Sequence, residues 1–179
     1  MLPAKIESGD ICLGVLELEH LHDMFEWHQD MDVKKFSNTE GKETYQEIQE
    51  WFLADYPRMT NEKVYIISID DEPLGYLTVR KDGEKAEVGV VVAKTHRYKK
   101  VASKSLTLLC KELFKQFRKI VARTLTDNIA CQNTLRKIGF RREGILRKEL
   151  LHCGQYKDCD LFSVFEDELV HDNLDASKL

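Results

Sequence analysis

The sequence predicts an α/β (α+β) domain in which a mixed sheet carries helices on its faces. Two patterns support that reading. Apolar runs bounded by turn residues recur along the chain, as strands do. Between them lie segments whose apolar residues repeat at i, i+3 and i+4, as on one face of a helix. A chain of 179 residues suits one domain with a substantial core and falls short of two comfortable ones. No repeat, low-complexity tract or Pro/Gly/Ser linker divides it, so we expect a single domain over residues 1–168 and a C-terminal tail over 169–179.

"DICLGVLEL", residues 10–18, reads as the first strand. Leu18, Leu21, Met24, Phe25 and His28 then recur at helical spacing, and Tyr45, Ile48, Trp51, Phe52 and Tyr56 do so again. "VYIISID" and "LGYLTVR" around the turn "DDEP" predict a hairpin. "KDGEK" is a second turn, and "AEVGVVVA" follows as a strand. The clearest helix comes next, with Val101, Leu106, Leu109, Cys110, Leu113, Phe114 and Phe117 on one face. "KIVARTLT" reads as a buried strand and "NIACQNTLRKIGF" as a short helix with Asn128 as N-cap and Gly139 at its end. "REGILRKELLHCGQYKDCDLFSVFEDE" reads as a closing hairpin. The order is β-α-α-β-β-β-α-β-α-β-β.

The composition, 42% hydrophobic and 32% charged, is that of a soluble globular protein. No apolar run approaches the roughly 18 residues that a membrane span needs, and "MLPAKIESGD" lacks the apolar core of a secretory signal. The five cysteines include no C-x-x-C pair and the six histidines no H-E-x-x-H, so neither a disulfide framework nor a metal site is expected. Reduced thiols and a cytoplasmic location are the expectation. The net charge of −4 is unevenly spread: residues 94–148 hold 16 of the 27 Lys/Arg and 3 of the 31 Asp/Glu. A basic half suits an anionic ligand such as a nucleotide, a nucleotide-like cofactor or nucleic acid. The acidic remainder suits a cationic second substrate or plain solvated surface. Within the basic half, "VVVAKTHRYKKVASKSLTLLCKELF" is a strand, a loop and a helix, a common phosphate site because a helix N-terminus offers free N–H donors. Its loop has no glycine.

Several stretches together resemble the GNAT family of acetyl-CoA-dependent N-acetyltransferases. "AEVGVVV" is similar to the family's fourth strand, and "THRYKKVASKSL" stands where the family has a loop of the form R-G-K-G-Y-A-T-E-A-L. "DNIACQNTLRKIGFRREG" is close to D-N-x-A-S-x-x-x-L-x-K-x-G-F-x-x-E-G and is the most specific part. "LRKELLHCGQYKDCDLFSV" is similar to the closing hairpin of the RimJ/RimL-like branch. "FEWHQDMDVKKF" and "EIQEWF" are similar to patterns of RimL-like and PseH-type amino-sugar N-acetyltransferases. The resemblance spans residues 10–168. It implies the GNAT fold, a mostly antiparallel sheet of about seven strands splayed between the fourth and fifth, here "VGVVV" and "IVARTLT", with helices on both faces.

The same resemblance implies acetyl-CoA as cosubstrate. Its pantetheine arm would lie along Val90 and Val92 through main-chain bonds, and its pyrophosphate on Arg97, Lys99, Lys100, Val101, Ala102 and Ser103. The family signature Q/R-x-x-G-x-G/A here reads Arg97-Tyr98-Lys99-Lys100-Val101-Ala102, so its central glycine is Lys100. That lysine either obstructs close approach of phosphate or supplies a charge-assisted contact. Asn128 stands where pantetheine is hydrogen-bonded, although helix capping alone would explain it. Glu87 stands where relatives place a base for the amine; otherwise it is one polar residue on a half-exposed strand. The family's usual tyrosine acid falls at Leu135. Cys131 is either a donor to the leaving thiolate or a small packing residue. Acceptor candidates are Trp27, His28, Asp32, Phe36, Tyr156 and Asp158, with Asp158 alternatively bracing the hairpin.

The leading expectation is transfer of acetyl from acetyl-CoA to a primary amine by direct attack. The acceptor would be a protein N-terminal amine or a small amine such as an amino sugar. A non-catalytic GNAT-fold protein with a degenerate cofactor loop is the alternative. Nucleic acid and membrane are not expected partners, because the basic residues follow the cofactor segment and no nucleic-acid motif accompanies them. Family habit leaves a homodimer open.

Overall fold

The structure is a computed structural model that describes residues 2–37, 42–152 and 154–170. Eight strands form one sheet in the order β1-β2-β3-β4-β5-β6-β8-β7. They are β1 Lys5–Ser8, β2 Ile11–Val15, β3 Glu62–Ile69, β4 Glu72–Asp82, β5 Lys85–Val92, β6 Lys119–Leu125, β7 Arg141–His152 and β8 Gln155–Val164. The helices are α1 Leu21–Gln29, α2 Met31–Phe36, α3 Tyr45–Glu50, α4 Val101–Leu113 and α5 Ile129–Lys137. The fold is the mixed, mostly antiparallel one expected, with one strand more than the seven read from the sequence. The extra strand, β1, precedes the expected first strand and pairs antiparallel with it.

Adjacent strands run antiparallel except β5 and β6, which run parallel with α4 as the crossover. The β3–β4 hairpin turns on Asp70 and Asp71, both at positive φ; two left-handed residues match the twist of the strands they join. Two apolar clusters sandwich the sheet. One sets α4 and α5 against it through residues such as Leu106, Leu109, Leu113, Leu135, Val88 and Phe162. The other sets α1, α2 and α3 against the opposite face through Leu21, Met24, Trp27, Val33, Ile48 and Tyr76. Strand alternation divides the two: on β4, Tyr76 faces α1 while Leu77 and Val79 face α4.

At the C-terminal end, Leu169 is buried in the first cluster and the Val170 N–H donates to the Ile138 carbonyl. Residues 171–179 of the expected tail lie outside the described residues. Gly139 (φ +104) lets the chain leave α5 beneath residues 166–168, because a Cβ there would lie 2.2 Å from the Glu168 carbonyl oxygen. Among the described residues no helix is long and apolar enough to cross a membrane. Cys12, Cys110, Cys131 and Cys159 are free thiols, and Cys153 lies outside the described residues.

Candidate active site

β5 and β6 pair only from Lys85↔Lys119 to Glu87↔Val121. Beyond that point β6 stays with β8, and the edge of β5 from Val88 to Val92 has no β6 partner. A cavity of about 660 Å³ occupies the gap. Successive side chains of a strand normally point to opposite faces. Yet Val88, Gly89, Val90, Val91 and Val92 all line this one cavity, as do Ala122, Arg123 and Thr124 of β6. The cavity therefore passes through the sheet, with one end among α4 and α5 and the other toward α1 and α2.

The α4 end presents the helix N-terminus to the cavity. Arg97 to Lys100 form a tight loop in which Tyr98 and Lys100 both take left-handed backbone, φ 64 and 62. Lys100 is the N-cap of α4 and makes no side-chain cap bond. The first intrahelical bond runs from the Lys104 N–H to the Lys100 carbonyl, so the amides of the turn before it face outward at the positive end of the helix dipole. Lys100, Val101, Ala102 and Ser103 line the cavity; Lys99 does not. Lys100 thus holds the conformation that a glycine would take more cheaply, at a strain of roughly 1–2 kcal/mol. Lys100→Gly is expected to raise Tm by a few degrees. It should also weaken acetyl-CoA binding about three- to tenfold at low salt, because the charge on phosphate is lost. Calorimetric titration checks this, and tighter binding by the glycine variant would show that the lysine only obstructs.

The Arg97 side chain turns away from the helix end and ties the loop to the other face. Its guanidinium donates to the Val92 carbonyl (3.2 Å), to Asp30 (2.7 Å) and to Asp32 (2.8 Å). Asp30 is also the N-cap of α2, accepting from the amides of Asp32 and Val33. Burial raises the Asp30 carboxyl, but the Arg97 bond and the two amides outweigh it and hold the group below its ordinary value. Asp32, named as an acceptor-binding candidate, is half of this clamp.

Across the cavity, Cys131 and Asn128 line the α5 end. The Asn128 side chain accepts the Cys131 N–H at 3.1 Å and so caps the helix. Burial pushes the Cys131 thiol up, against a weaker pull from its bond to Thr124; a thiol held protonated is a donor rather than a nucleophile. Leu135, at the position of the missing tyrosine, also lines the cavity.

On the α1 side, Phe36 lines the cavity and Trp27 does not; the indole stacks on Tyr76 with ring centres 6.1 Å apart. Glu87 is absent from the lining. Its two carboxylate oxygens accept from Arg123 (2.7 and 3.1 Å), and one of them also accepts from Arg80. Arg123 reaches on to Glu149 of β7. Asp158 accepts the Lys148 N–H at 2.8 Å and braces the β7–β8 hairpin at an irregular point in its register. Tyr156 lies on the same hairpin and is mostly exposed. Among the lining residues that escaped the sequence reading are Tyr76, Thr78, Arg123 and Thr124. The i, i+2 spacing of Tyr76 and Thr78 in "YLT" gives strand phase, but neither it nor the adjacent pair "RT" shows which neighbour these side chains face.

Known proteins agree with this geometry. The family profile for the acetyltransferase (GNAT) domain matches residues 10–141. No curated protein matches the sequence significantly. Among solved structures, spermidine N-acetyltransferase from Vibrio cholerae, in complex with CoA and spermine, superposes with a TM-score of 0.79 at 17% identity, over 90% of this chain and 98% of that one. A GNAT-family acetyltransferase from Bacillus anthracis does so with a TM-score of 0.80 at 22% identity, over 92% and 99%. RimJ from Mycobacterium smegmatis, in complex with CoA-disulfide, gives 0.79 at 20% identity, over 90% and 85%. These likenesses show the fold. With the family match they complete the assignment: the chain belongs to the GNAT acetyltransferase family, as an acyl-CoA-dependent N-acetyltransferase with acetyl-CoA as cosubstrate.

Proposed function

We propose that the protein transfers acetyl from acetyl-CoA to a primary amine by direct attack within a ternary complex. The observation that carries this reading is the passage through the sheet. A pantetheine arm is a thin chain, and the parted edge of β5, with Val90 and Val92, offers it main-chain partners. Lys100 to Ser103 would hold the pyrophosphate at one end and Asn128 the arm along its length. The thioester would then lie near Cys131, whose thiol supplies a proton to the departing sulfur. The acceptor would approach from the other end, past Phe36, Tyr76 and Thr78.

The acceptor class is a small amine, of amino-sugar or polyamine kind, or a protein N-terminal amine as in the RimJ/RimL-like branch. The similarity of "FEWHQDMDVKKF" and "EIQEWF" to patterns of amino-sugar N-acetyltransferases supports the small amine. The test is steady-state kinetics with acetyl-CoA against a panel of such amines, following release of CoA thiol. Intersecting initial-velocity patterns are expected. Parallel patterns, or acetyl trapped on Cys131, would overturn direct attack. No micromolar acetyl-CoA binding by calorimetry would overturn the whole reading.

A further inference from the structure

The acceptor amine must lose a proton as it attacks, and Glu87 is poorly placed to take it. Both its oxygens are engaged by guanidinium groups, and it stands outside the cavity lining. A different pair of groups meets the cavity at its α1 end. Tyr76 lines it, and the Tyr76 hydroxyl lies 3.0 Å from His28 Nε2. His28 is 3% exposed, and its Nδ1 lies 3.3 Å from the Lys42 carbonyl oxygen.

A carbonyl oxygen can only accept, so this bond requires the proton on Nδ1. Nε2 is then an acceptor, and the Tyr76 O–H donates to it. The phenol oxygen keeps its lone pairs for a donor in the cavity. The two rings are fixed: Tyr76 is stacked on Trp27 and meets His28 edge-on at 5.9 Å. Building further on the acetyltransfer reading, we propose that Tyr76 and His28 are the proton relay for the acceptor amine, Tyr76 as the catalytic residue that touches it and His28 as the base behind it.

The step balances as follows. The amine nitrogen attacks the thioester carbonyl carbon, forming N–C and breaking C–S. The amine proton passes to the Tyr76 oxygen while the Tyr76 proton passes to His28 Nε2, giving imidazolium. The Cys131 thiol protonates the departing sulfur, and exchange with water restores Cys131 and His28. Burial supports the assignment, since it lowers the imidazole and raises the phenol, leaving both neutral near pH 7. The groups facing His28 are Tyr76 from β4 and Lys42 from the segment before α3; burial lowers the imidazole most, the bond to the Lys42 carbonyl raises it, and the Lys42 ammonium, seated 3.7 Å over the Trp51 ring, lowers it.

The test compares wild type with Tyr76→Phe and His28→Gln, reading kcat/KM against pH for the best amine and acetyl-CoA affinity by calorimetry. Expected are a loss of about 10²-fold in kcat for Tyr76→Phe and acetyl-CoA affinity within about twofold of wild type. On the acidic side wild-type kcat/KM should fall with two ionisations, that of the acceptor amine and that of His28, and His28→Gln should keep only the amine's. Wild-type transfer with Tyr76→Phe within about threefold of it would overturn the relay alone, as would a second acidic ionisation that survives in His28→Gln. A wild type that binds acetyl-CoA but acetylates no amine would overturn the acetyltransfer reading and the relay with it.

Discussion

Gly89→Val is expected to lower kcat/KM for the amine by about 10²- to 10³-fold while leaving acetyl-CoA affinity within about threefold. Gly89 sits within the parted segment of β5, paired with Thr78 of β4. A Cβ at this position would lie 2.6 Å from the Thr78 hydroxyl oxygen, so any side chain must displace it. Thr78, Gly89 and Tyr76 share the α1 face of the sheet and line the same end of the cavity. An isopropyl group there turns the threonine aside and fills the space where an acceptor would meet the thioester. The loss corresponds to about 3–4 kcal/mol of transition-state stabilisation. The displaced oxygen belongs to a side chain rather than backbone, so the fold should tolerate the change with little loss of Tm. Alanine should give the smaller part of the same effect. The checks are steady-state kinetics and calorimetric titration. If affinity fell by the same factor as kcat/KM, Gly89 would border the cosubstrate's path rather than the acceptor's.

The residues around this cavity show where the sequence stops being informative. "AEVGVVV" is legible as a strand, and the periodic face of α4 with the basic loop before it places the anion end of the site. Asn128 is legible as a cap because capping is local: its partner, the Cys131 amide, is three residues away. Tyr76 was legible only as a strand residue. Its role depends on a register that puts it beside Val91, and on His28, a partner 48 positions away. Arg97 carried a signature position in the loop, but its side-chain partners Asp30 and Asp32 lie 67 and 65 positions distant. Glu87 shows the converse. Its type and place suggest a base, yet Arg80 and Arg123 engage it from the neighbouring strands. Strand β1 was missed for a simpler reason: "KIES" contains a single apolar residue, too few to show alternation, and edge strands of that length are fixed by their neighbour.

Arg97→Ala should produce the largest loss of stability at this site, about 2–3 kcal/mol at neutral pH, or roughly 5–10 °C in Tm. Three bonds disappear, but they do not count equally. The Asp32 side chain is 66% exposed and its pair is screened, adding little. The Asp30 side chain is 14% exposed, and without Arg97 it keeps its two amides but loses its counter-charge. The Val92 carbonyl loses its donor at the end of β5. The pH dependence separates charge from packing. The Asp30 carboxyl is held down in the folded state, so its contribution is present above the unfolded value of about 4 and is lost as pH falls through the lower folded value. The Tm gap between wild type and Arg97→Ala should therefore be constant from pH 5 to 7 and narrow below about pH 4. A gap that stayed constant to pH 2 would assign the effect to packing of the arginine stem. Because the clamp joins the phosphate loop to α2, acetyl-CoA affinity should fall about tenfold in the same variant, even though the guanidinium points away from the amides that would meet the pyrophosphate.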